Sequence, residues 1–174
     1  GDGRTRETAI RVLHGSIDGS PVFARFGPEA GQQARYAEVT QYVPVSRGPV
    51  EIVIERLNSP GMVLHTIATE LADKTEYSVF IFGSARVGEQ QAVLLTEPTV
   101  RPERGLTRLR VLNALLGSEA ISLTVDGVNI PNIAEGASSG FVEISSGLKT
   151  LTILGSEGQT IQTVSAELID RGEL

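Results

Sequence analysis

The sequence predicts an all-β protein built from two tandem immunoglobulin-like β-sandwich domains, the second of which lacks its last strands. An internal repeat indicates two copies of one plan. Strand-like segments recur roughly every 8–12 residues with turn residues between them, which is typical of a sandwich. Segments with room for a helix are few and short.

The repeat is carried by segments that return in the same order at a nearly constant spacing. Three pairs match: RVLH at 11–14 with RVLN at 110–113, VSRG at 45–48 with ISSG at 144–147, and ELAD at 70–73 with ELID at 167–170. The first two pairs are displaced by 99 positions and the third by 97. This drift predicts a loop that is two residues shorter in the second copy.

Strand patterns are clearest in three segments. Residues 51–57 alternate in polarity, 77–82 (YSVFIF) form an aromatic and β-branched run, and 120–125 (AISLTV) alternate cleanly. Asp126-Gly127 follows the last of these and predicts a two-residue hairpin to 128–130, because both turn positions need a positive φ.

Other segments read as turns or as short helical turns. Residues 58–61 (NSPG) place Pro before Gly, the order of a type II turn, and 156–158 (SEG) mark another hairpin. Residues 29–38 and 132–138 each have room for a short helical turn.

The repeat divides the chain into a first sandwich over 8–97, a linker over 98–105 and a second sandwich over 106–174. Pro98 and Pro102 stiffen the linker and remove backbone donors there. In the first copy Glu76 leads into the 77–82 strand, whereas the matching Glu173 is followed only by Leu174.

The final strands of the second copy therefore need an explanation, and three are open. The simplest is that they lie beyond the boundary of this chain. A second is a different strand order, with residues 91–97 or the N-terminal residues serving the second sheet. A third is a strand donated by another chain, since an open edge offers unpaired N–H and C=O groups.

Composition excludes several function classes. A net charge of −6 disfavours sequence-independent nucleic-acid binding, which depends on neutralising phosphates. The absence of cysteine excludes disulfides, thiolate nucleophiles and cysteine zinc sites. The sequence contains no run of about 18 apolar residues, so it predicts no transmembrane segment. The chain begins with Gly1-Asp2 and carries no signal peptide, so we expect that a targeting segment has been removed.

One loop invites comparison with a catalytic triad because it holds His14, Ser16 and Asp18. A triad draws its members from separate structural elements. The second copy has Asn113 in place of His14 and neither a hydroxyl nor an acid at the other two positions. We therefore expect His14 to close its loop by bonding backbone groups.

The remaining candidates favour structural roles. His65 alternates with apolar residues, which predicts a half-covered strand position. Residues 126–129 lack the acidic ladder of a calcium loop, and 83–88 have the glycine spacing of a phosphate loop without its lysine. The acidic pairs Glu51/Glu55 and Glu167/Asp170 read as solvated surface.

Aromatic residues also offer little for ligand binding. Tyr36 and Tyr42 would make only a small stacking platform for a sugar, and the chain has no tryptophan. We expect no catalytic, metal-binding or cofactor-binding residue and no cofactor, and the sequence does not locate a partner-binding site.

Three segments of the first copy resemble the DUF4397 family: 11–22 (RVLHGSIDGSPV), 42–48 (YVPVSRG) and 71–79 (LADKTEYSV). The second copy repeats the plan at 109–114, 141–147 and 168–173. Gly15 and Ile17 stand where the family usually has Ala and Pro, and 115–119 lack the family's Ser-Pro-Asp character.

The resemblance implies an exported bacterial domain, often in tandem, without an established activity. From it we expect a non-enzymatic structural or adhesion-type module that is periplasmic, secreted or surface-anchored. Its partner would be a protein or a polysaccharide, with strand addition at the second domain edge as one mode. The second copy is also similar to the periplasmic accessory subunit of alginate O-acetylation, through its Asp-Gly hairpin and 138–141 (SSGF). The alternative is therefore an accessory subunit of a polysaccharide-modifying complex.

Overall fold

The computed structural model describes residues 7–16, 20–28, 30–59, 61–83, 90–98, 100–114 and 119–170. These residues form strands and turns and no helix, so the prediction of an all-β chain is confirmed. Among them there is consequently no helix long and apolar enough to cross a membrane. The chain divides into unit 1, Gly1–Thr99, and unit 2, Val100–Leu174, and this division falls within the predicted linker.

Unit 1 is a two-layer sandwich of eight strands. They are β1 Ala9–His14, β2 Val22–Phe26, β3 Gly31–Ala34, β4 Val43–Pro44, β5 Gly48–Arg56, β6 Val63–Leu71, β7 Glu76–Phe82 and β8 Gln91–Thr96. One sheet has the order β4-β1-β7-β8 and the other β3-β2-β5-β6. β1 runs parallel to β7 and antiparallel to β4.

The core of unit 1 lies between its two sheets. Alternate residues of a strand point to opposite faces, and both sheets contribute one buried apolar face. β1, β2, β5 and β7 supply most of the core: Ile10, Val12, Val22, Ala24, Phe26, Ile52, Ile54, Tyr77, Val79 and Ile81. Ala34, Leu71 and Ala92 complete it from β3, β6 and β8.

The part of unit 2 that the structure describes forms six strands. They are β9 Leu106–Leu109, β10 Ile121–Val125, β11 Val128–Ile133, β12 Val142–Ser145, β13 Gly147–Leu154 and β14 Thr160–Leu168. One sheet has the order β11-β10-β13-β14, and β12 pairs with β9 in a two-stranded sheet. The core again takes residues from both sheets: Leu109, Leu123, Val125, Ile130, Ile133, Ile144, Leu151 and Leu168.

The six described strands of unit 2 correspond to β1–β6 of unit 1, and most of the register is repeated. The β10–β11 pair differs by a bulge, since Leu123 faces Ile130 whereas Ala24 faces Gln32 in unit 1. Ile10 faces Val43, and 99 positions later Leu109 faces Val142. Gly48 faces Leu71, as Gly147 faces Leu168. The displacement between matching positions changes from 99 to 97 in one hairpin, which joins β5 to β6 in unit 1 and β13 to β14 in unit 2. This hairpin is two residues shorter in unit 2.

The described residues of 29–38 and of 132–138 form no helix. The first segment contains the strand β3 and a tight turn at 36–37, and the second contains the end of β11 and a tight turn at 135–136. β3 is polar because it lies at a sheet edge and buries only Ala34, so pairing with β2 overrides its weak strand pattern. Residues 91–97 do not serve the second sheet, because β8 pairs with β7 and its Ala92 lies in the core of unit 1.

Candidate functional site

His14 lies at the end of β1 and is almost fully buried, with 2% of its surface exposed. Its Nδ1 accepts a hydrogen bond from the Ser16 backbone N–H at 3.3 Å, which leaves Nε2 to donate to the Ser20 carbonyl at 3.1 Å. Burial lowers the pKa of His14, opposed by the bond to Ser20 and the charge of Glu38. The ring is therefore neutral and both nitrogens are occupied by backbone groups.

Ser16 is also fully engaged. Its Oγ donates to the Gly83 carbonyl at 2.9 Å and accepts from Gln90 Nε2 at 3.0 Å. Asp18 lies outside the described residues. The hydroxyl proton thus points at a carbonyl and not at the imidazole, which is not the geometry of an activated nucleophile.

Asn113 occupies the position of His14 in unit 2 and is equally buried. Its Nδ2 donates to the Ile133 carbonyl at 3.1 Å. The backbone of each residue bonds the same turn: His14 N–H to Glu38 and Asn113 N–H to Ala137. Both side chains close a loop through backbone carbonyls.

The other sequence candidates lie apart from one another. His65 is half-buried in β6 opposite Ile54. Tyr36 packs edge-on against the His14 ring at 6.4 Å, whereas Tyr42 lies under the Arg11 guanidinium at 4.9 Å.

The acidic candidates are likewise engaged separately. Glu55 is 3.7 Å from Arg25 in an ion pair. Asp170 accepts from the Gly105 N–H at 2.5 Å. Within the described ranges no three His, Asp or Glu side chains converge on a point where a metal ion would bind.

A groove of about 1070 Å³ opens at one end of unit 1, and no pattern in the sequence predicts it. It lies between the β2–β3, β4–β5 and β6–β7 connections. Its apolar lining comes from Phe26, Gly27, Pro28, Ala30, Pro44, Val45, Pro49 and Val50, and its polar lining from Glu7, Thr8, Ser46, Arg47, Asp73 and Lys74. Arg47 and Asp73 form an exposed ion pair across it at 3.4 Å.

Unit 2 places a polar cluster where unit 1 has the floor of this groove. Lys149, Asp126 and Ser145 stand 99 positions after Val50, Gly27 and Ser46. Lys149 Nζ donates to Asp126 Oδ2 at 2.9 Å and to Ser145 Oγ at 2.8 Å. These bonds tie the β10–β11 hairpin to the start of β13.

The cluster is an ion pair and not a catalytic dyad. The bond from Lys149 lowers the pKa of Asp126, with Ser145 adding to the effect. Ser145 Oγ accepts from Lys149 Nζ and donates to Asp126 Oδ2 at 3.1 Å, so its proton lies on the side of the carboxylate. A residue-by-residue comparison of the two copies would have found this pair and its absence from unit 1.

The second distinctive feature is an edge of unit 2, the β9 edge, defined as the side of residues 106–113 that faces away from β12. In unit 1 the matching side of β1 is covered, since Ala9 and Gly15 N–H donate to Thr75 and Ile81. In unit 2 Val111 and Asn113 bond to Ser139 and Ala137, on the β12 side. No strand pairs with the β9 edge among the residues described.

These features define two β-sandwich units that share one strand plan and differ at one end, where unit 1 has a groove and unit 2 has an ion-paired cluster. Residues 8–124 match the family described as Domain of unknown function (DUF4397). The chain belongs to this family, and the match covers the described strands of unit 1 together with β9 and most of β10.

Other comparisons add little. No curated protein matches the chain. A leucine-rich repeat protein from Bacteroides thetaiotaomicron is similar at 10% identity and a TM-score of 0.22 over 96% of this chain. This chain spans 25% of the length of that protein. A TM-score of that size supports no inference about the fold or the function.

Proposed function

We propose that the chain is a non-enzymatic binding module of the periplasm or cell surface that holds a protein partner in the groove of unit 1. The observation that carries the proposal is the difference between the two copies at one place. Unit 1 has Gly27 and Val50 where unit 2 has the Asp126–Lys149 ion pair. Since both copies share one strand plan, this difference among the groove-lining positions favours a role particular to unit 1.

The lining favours a protein partner over a polysaccharide. Proline and valine side chains supply apolar contact, while Arg47 and Lys74 stand beside Glu7 and Asp73 at the polar side. A peptide offers apolar groups and both signs of charge together. Sugars stack on exposed aromatic rings. The described lining contains one aromatic ring, that of Phe26, and it is only 3% exposed.

The proposal that the chain is exported rests on the expected behaviour of DUF4397 domains. Cell fractionation with an antibody against the chain tests it directly. Recovery in the cytoplasmic fraction alone would contradict export and leave groove binding to be judged separately.

A closed-groove variant tests the binding site. Gly27→Asp with Val50→Lys brings the unit 2 pair into unit 1, where Ser46 already matches Ser145. A displayed peptide library and a glycan array would be screened with the full chain, and each hit measured again on the variant. We expect peptide hits whose affinity falls at least about tenfold on closure, the cost of losing a small buried apolar contact.

The reciprocal variant, Asp126→Gly with Lys149→Val, is the matched control and should bind the same peptides within about twofold. Hits whose affinity is unchanged in the closed-groove variant would contradict the proposal, and so would a set of hits made up only of glycans. Substrate turnover that is lost on changing His14 would contradict the non-enzymatic part.

A further inference from the structure

One turn of unit 1 presents large apolar side chains to solvent. Residues 35–39 (RYAEV), named here the 35–39 turn, follow β3, and all of them are exposed. Tyr36 and Val39 are 48% and 58% exposed. Tyrosine is among the residues that most often anchor a protein interface, so this turn has the composition of a contact surface.

The 35–39 turn is held in one conformation at the end of β1. The Ala37 N–H donates to the His14 carbonyl at 2.8 Å, and the His14 N–H donates to the Glu38 carbonyl at 3.1 Å. Tyr36 rests edge-on against the buried His14 ring. Because the turn is already ordered by these contacts, little conformational freedom is lost when it binds a partner.

The turn and the groove lie at opposite ends of unit 1. Thr8, which precedes β1, lines the groove, whereas the 35–39 turn bonds to His14 at the other end of this strand. A strand rises about 3.3 Å per residue, so roughly 20 Å separate Thr8 from His14. The turn therefore cannot reach the groove of its own unit, but it can reach the groove of another copy of the chain.

Unit 2 keeps the backbone of this turn and changes its side chains. Gly136 has a φ of 68°, close to the 67° of Ala37. Residues 134–138 read AEGAS, so a glutamate and a serine stand where unit 1 has Tyr36 and Val39. Unit 2 also carries an ion pair at two of the groove positions. The apolar turn and the apolar groove positions thus occur together in one copy and are changed together in the other.

We propose that the partner held in the groove of unit 1 is the 35–39 turn of a second copy of this chain. This inference rests on the proposed function, since it names the protein that occupies the groove. Each copy offers a turn at one end of unit 1 and a groove at the other, so the contact is heterologous and joins copies head to tail.

The apolar parts of the two surfaces are complementary. Three prolines of the groove, Pro28, Pro44 and Pro49, present hydrocarbon ring faces, and proline rings pack well on aromatic rings. Tyr36 supplies such a ring, and Val39 supplies a second apolar contact. The groove volume of about 1070 Å³ has room for a short turn and not only for one side chain.

The charges of the two surfaces are compatible as well. Beside its apolar pair the turn carries one cation, Arg35, and one anion, Glu38. The described polar lining of the groove contains two cations and two anions: Arg47, Lys74, Glu7 and Asp73. Both charges of the turn therefore have an opposite charge available in the groove, and neither described surface has a net charge that would repel the other.

A single contact of this kind is weak. The 35–39 turn covers less than the roughly 800 Å² per partner of a stable complex, so we expect a Kd on the order of 0.1 mM. Many copies held side by side on one surface would associate more strongly, because each further contact is then intramolecular.

Sedimentation velocity of the full 174-residue chain tests self-association. The average sedimentation coefficient should rise with concentration between about 10 µM and about 1 mM. Tyr36→Glu with Val39→Ser, the turn variant, gives unit 1 the side chains of unit 2 and should weaken association about tenfold or more. The closed-groove variant, Gly27→Asp with Val50→Lys, should weaken it to the same extent.

Met62→Ser with Val63→Ser is the matched control. These side chains are 48% and 51% exposed, close to the pair in the turn, but they lie where the hairpin from β5 enters β6. The control should associate within about twofold of wild type. A wild-type chain that stays monomeric over the whole range, or equal losses in the control and in the turn variant, would overturn the proposal.

Mixing the two weakened variants tests the head-to-tail geometry. The turn variant keeps its groove and the closed-groove variant keeps its turn, so an equimolar mixture should form a heterodimer and no larger species. A heterodimer also shows that both variants are folded, because each contributes the surface that it retains. Association of the closed-groove variant with itself as strongly as wild type, or no complex in the mixture, would overturn the proposal.

Engineered cysteines locate the contact with smaller changes, since the chain has no cysteine of its own. Val39→Cys and Ser46→Cys are placed in separate molecules, which are mixed and oxidised with glutathione disulfide. Docking of the turn in the groove brings the two thiols within bonding reach. The mixed disulfide should form several times faster than with Met62→Cys and Ser46→Cys, and equal rates would overturn the proposal.

The outcomes for the groove itself are separate from those for self-association. If the chain stays monomeric but binds library peptides that the closed-groove variant rejects, the occupant is a foreign protein and only this inference is wrong. If neither peptide binding nor self-association depends on the groove, the proposed function is wrong as well.

Discussion

At the scale of single residues, the copies show which polar side chains serve the fold. His14 and Asn113 differ in chemistry but share burial and a bond to a backbone carbonyl. His14→Asn should therefore cost only about 1 kcal/mol, whereas His14→Leu leaves the Ser16 N–H and Ser20 carbonyl without their partner and should cost about 1–3 kcal/mol more. Urea unfolding of both variants at neutral pH measures this, and equal costs would contradict it.

His14 also predicts a pH dependence of stability. Its pKa in the folded chain is lowered by burial, so below the usual value near 6.5 the unfolded chain takes up the proton first. The contribution of His14 should be complete above that value and should fall as the pH drops toward the folded pKa. The free energy of unfolding of wild type and His14→Asn, followed from pH 8 to 5, should converge on acidification; parallel curves would contradict the assignment.

Asp126 should also make the stability of the fold decrease on acidification, but at lower pH than His14. Its folded pKa is lowered by Lys149 and Ser145, so its stabilising effect is present above its usual value and is lost as the pH falls through the folded pKa. Asp126→Asn keeps a residue that tolerates the positive φ of 53°. Its melting temperature should lie below that of wild type at pH 7, and the difference should shrink as the pH falls through the lowered pKa of Asp126; Lys149→Met should do the same.

At the scale of elements, two glycines begin the long central hairpins of the copies. Gly48 and Gly147 have φ of 102° and 117° at the starts of β5 and β13, where side-chain-bearing residues are strained. Nothing lies within 4 Å of a Cβ added at Gly147, so the strain would be confined to the backbone. Gly147→Ala should destabilise by about 1–3 kcal/mol in chemical denaturation.

Gly140 provides the control for this prediction in the same unit. It also has open space around an added Cβ but no positive φ. Gly140→Ala should be neutral or stabilise by up to about 1 kcal/mol, because it restricts the unfolded chain. A similar loss at both positions would show that the backbone conformation of Gly147 is not the cause.

At the scale of the whole molecule, the two units differ in how much they bury. Among the described residues, unit 1 has 13 buried apolar residues in its core and unit 2 has eight. Because burial of apolar surface dominates stability, unit 2 should open more readily. Hydrogen exchange followed by mass spectrometry should show lower protection in β10 and β13 than in β2 and β5, their counterparts; equal protection would contradict this.

Much of this fold could be predicted from the sequence because its signals are local. The run at 77–82 and the Asp126-Gly127 turn give β7 and the β10–β11 hairpin almost directly. β3 was missed because Gly31–Ala34 is a polar edge strand whose pairing with β2 sets its conformation. The groove could not be predicted, since Phe26, Val50 and Asp73 meet only after three connections converge.

The all-β class, the duplication and the family follow from the sequence alone, because strand alternation, turn residues and repeated segments are properties of neighbours along the chain. The differences between the two copies come from the tertiary structure. Gly27 and Val50 form part of a groove while Asp126 and Lys149 form an ion pair, since strands far apart in sequence bring each pair together. The β9 edge follows from pairing as well, because whether a strand is interior or exposed depends on its partners and not on its own residues.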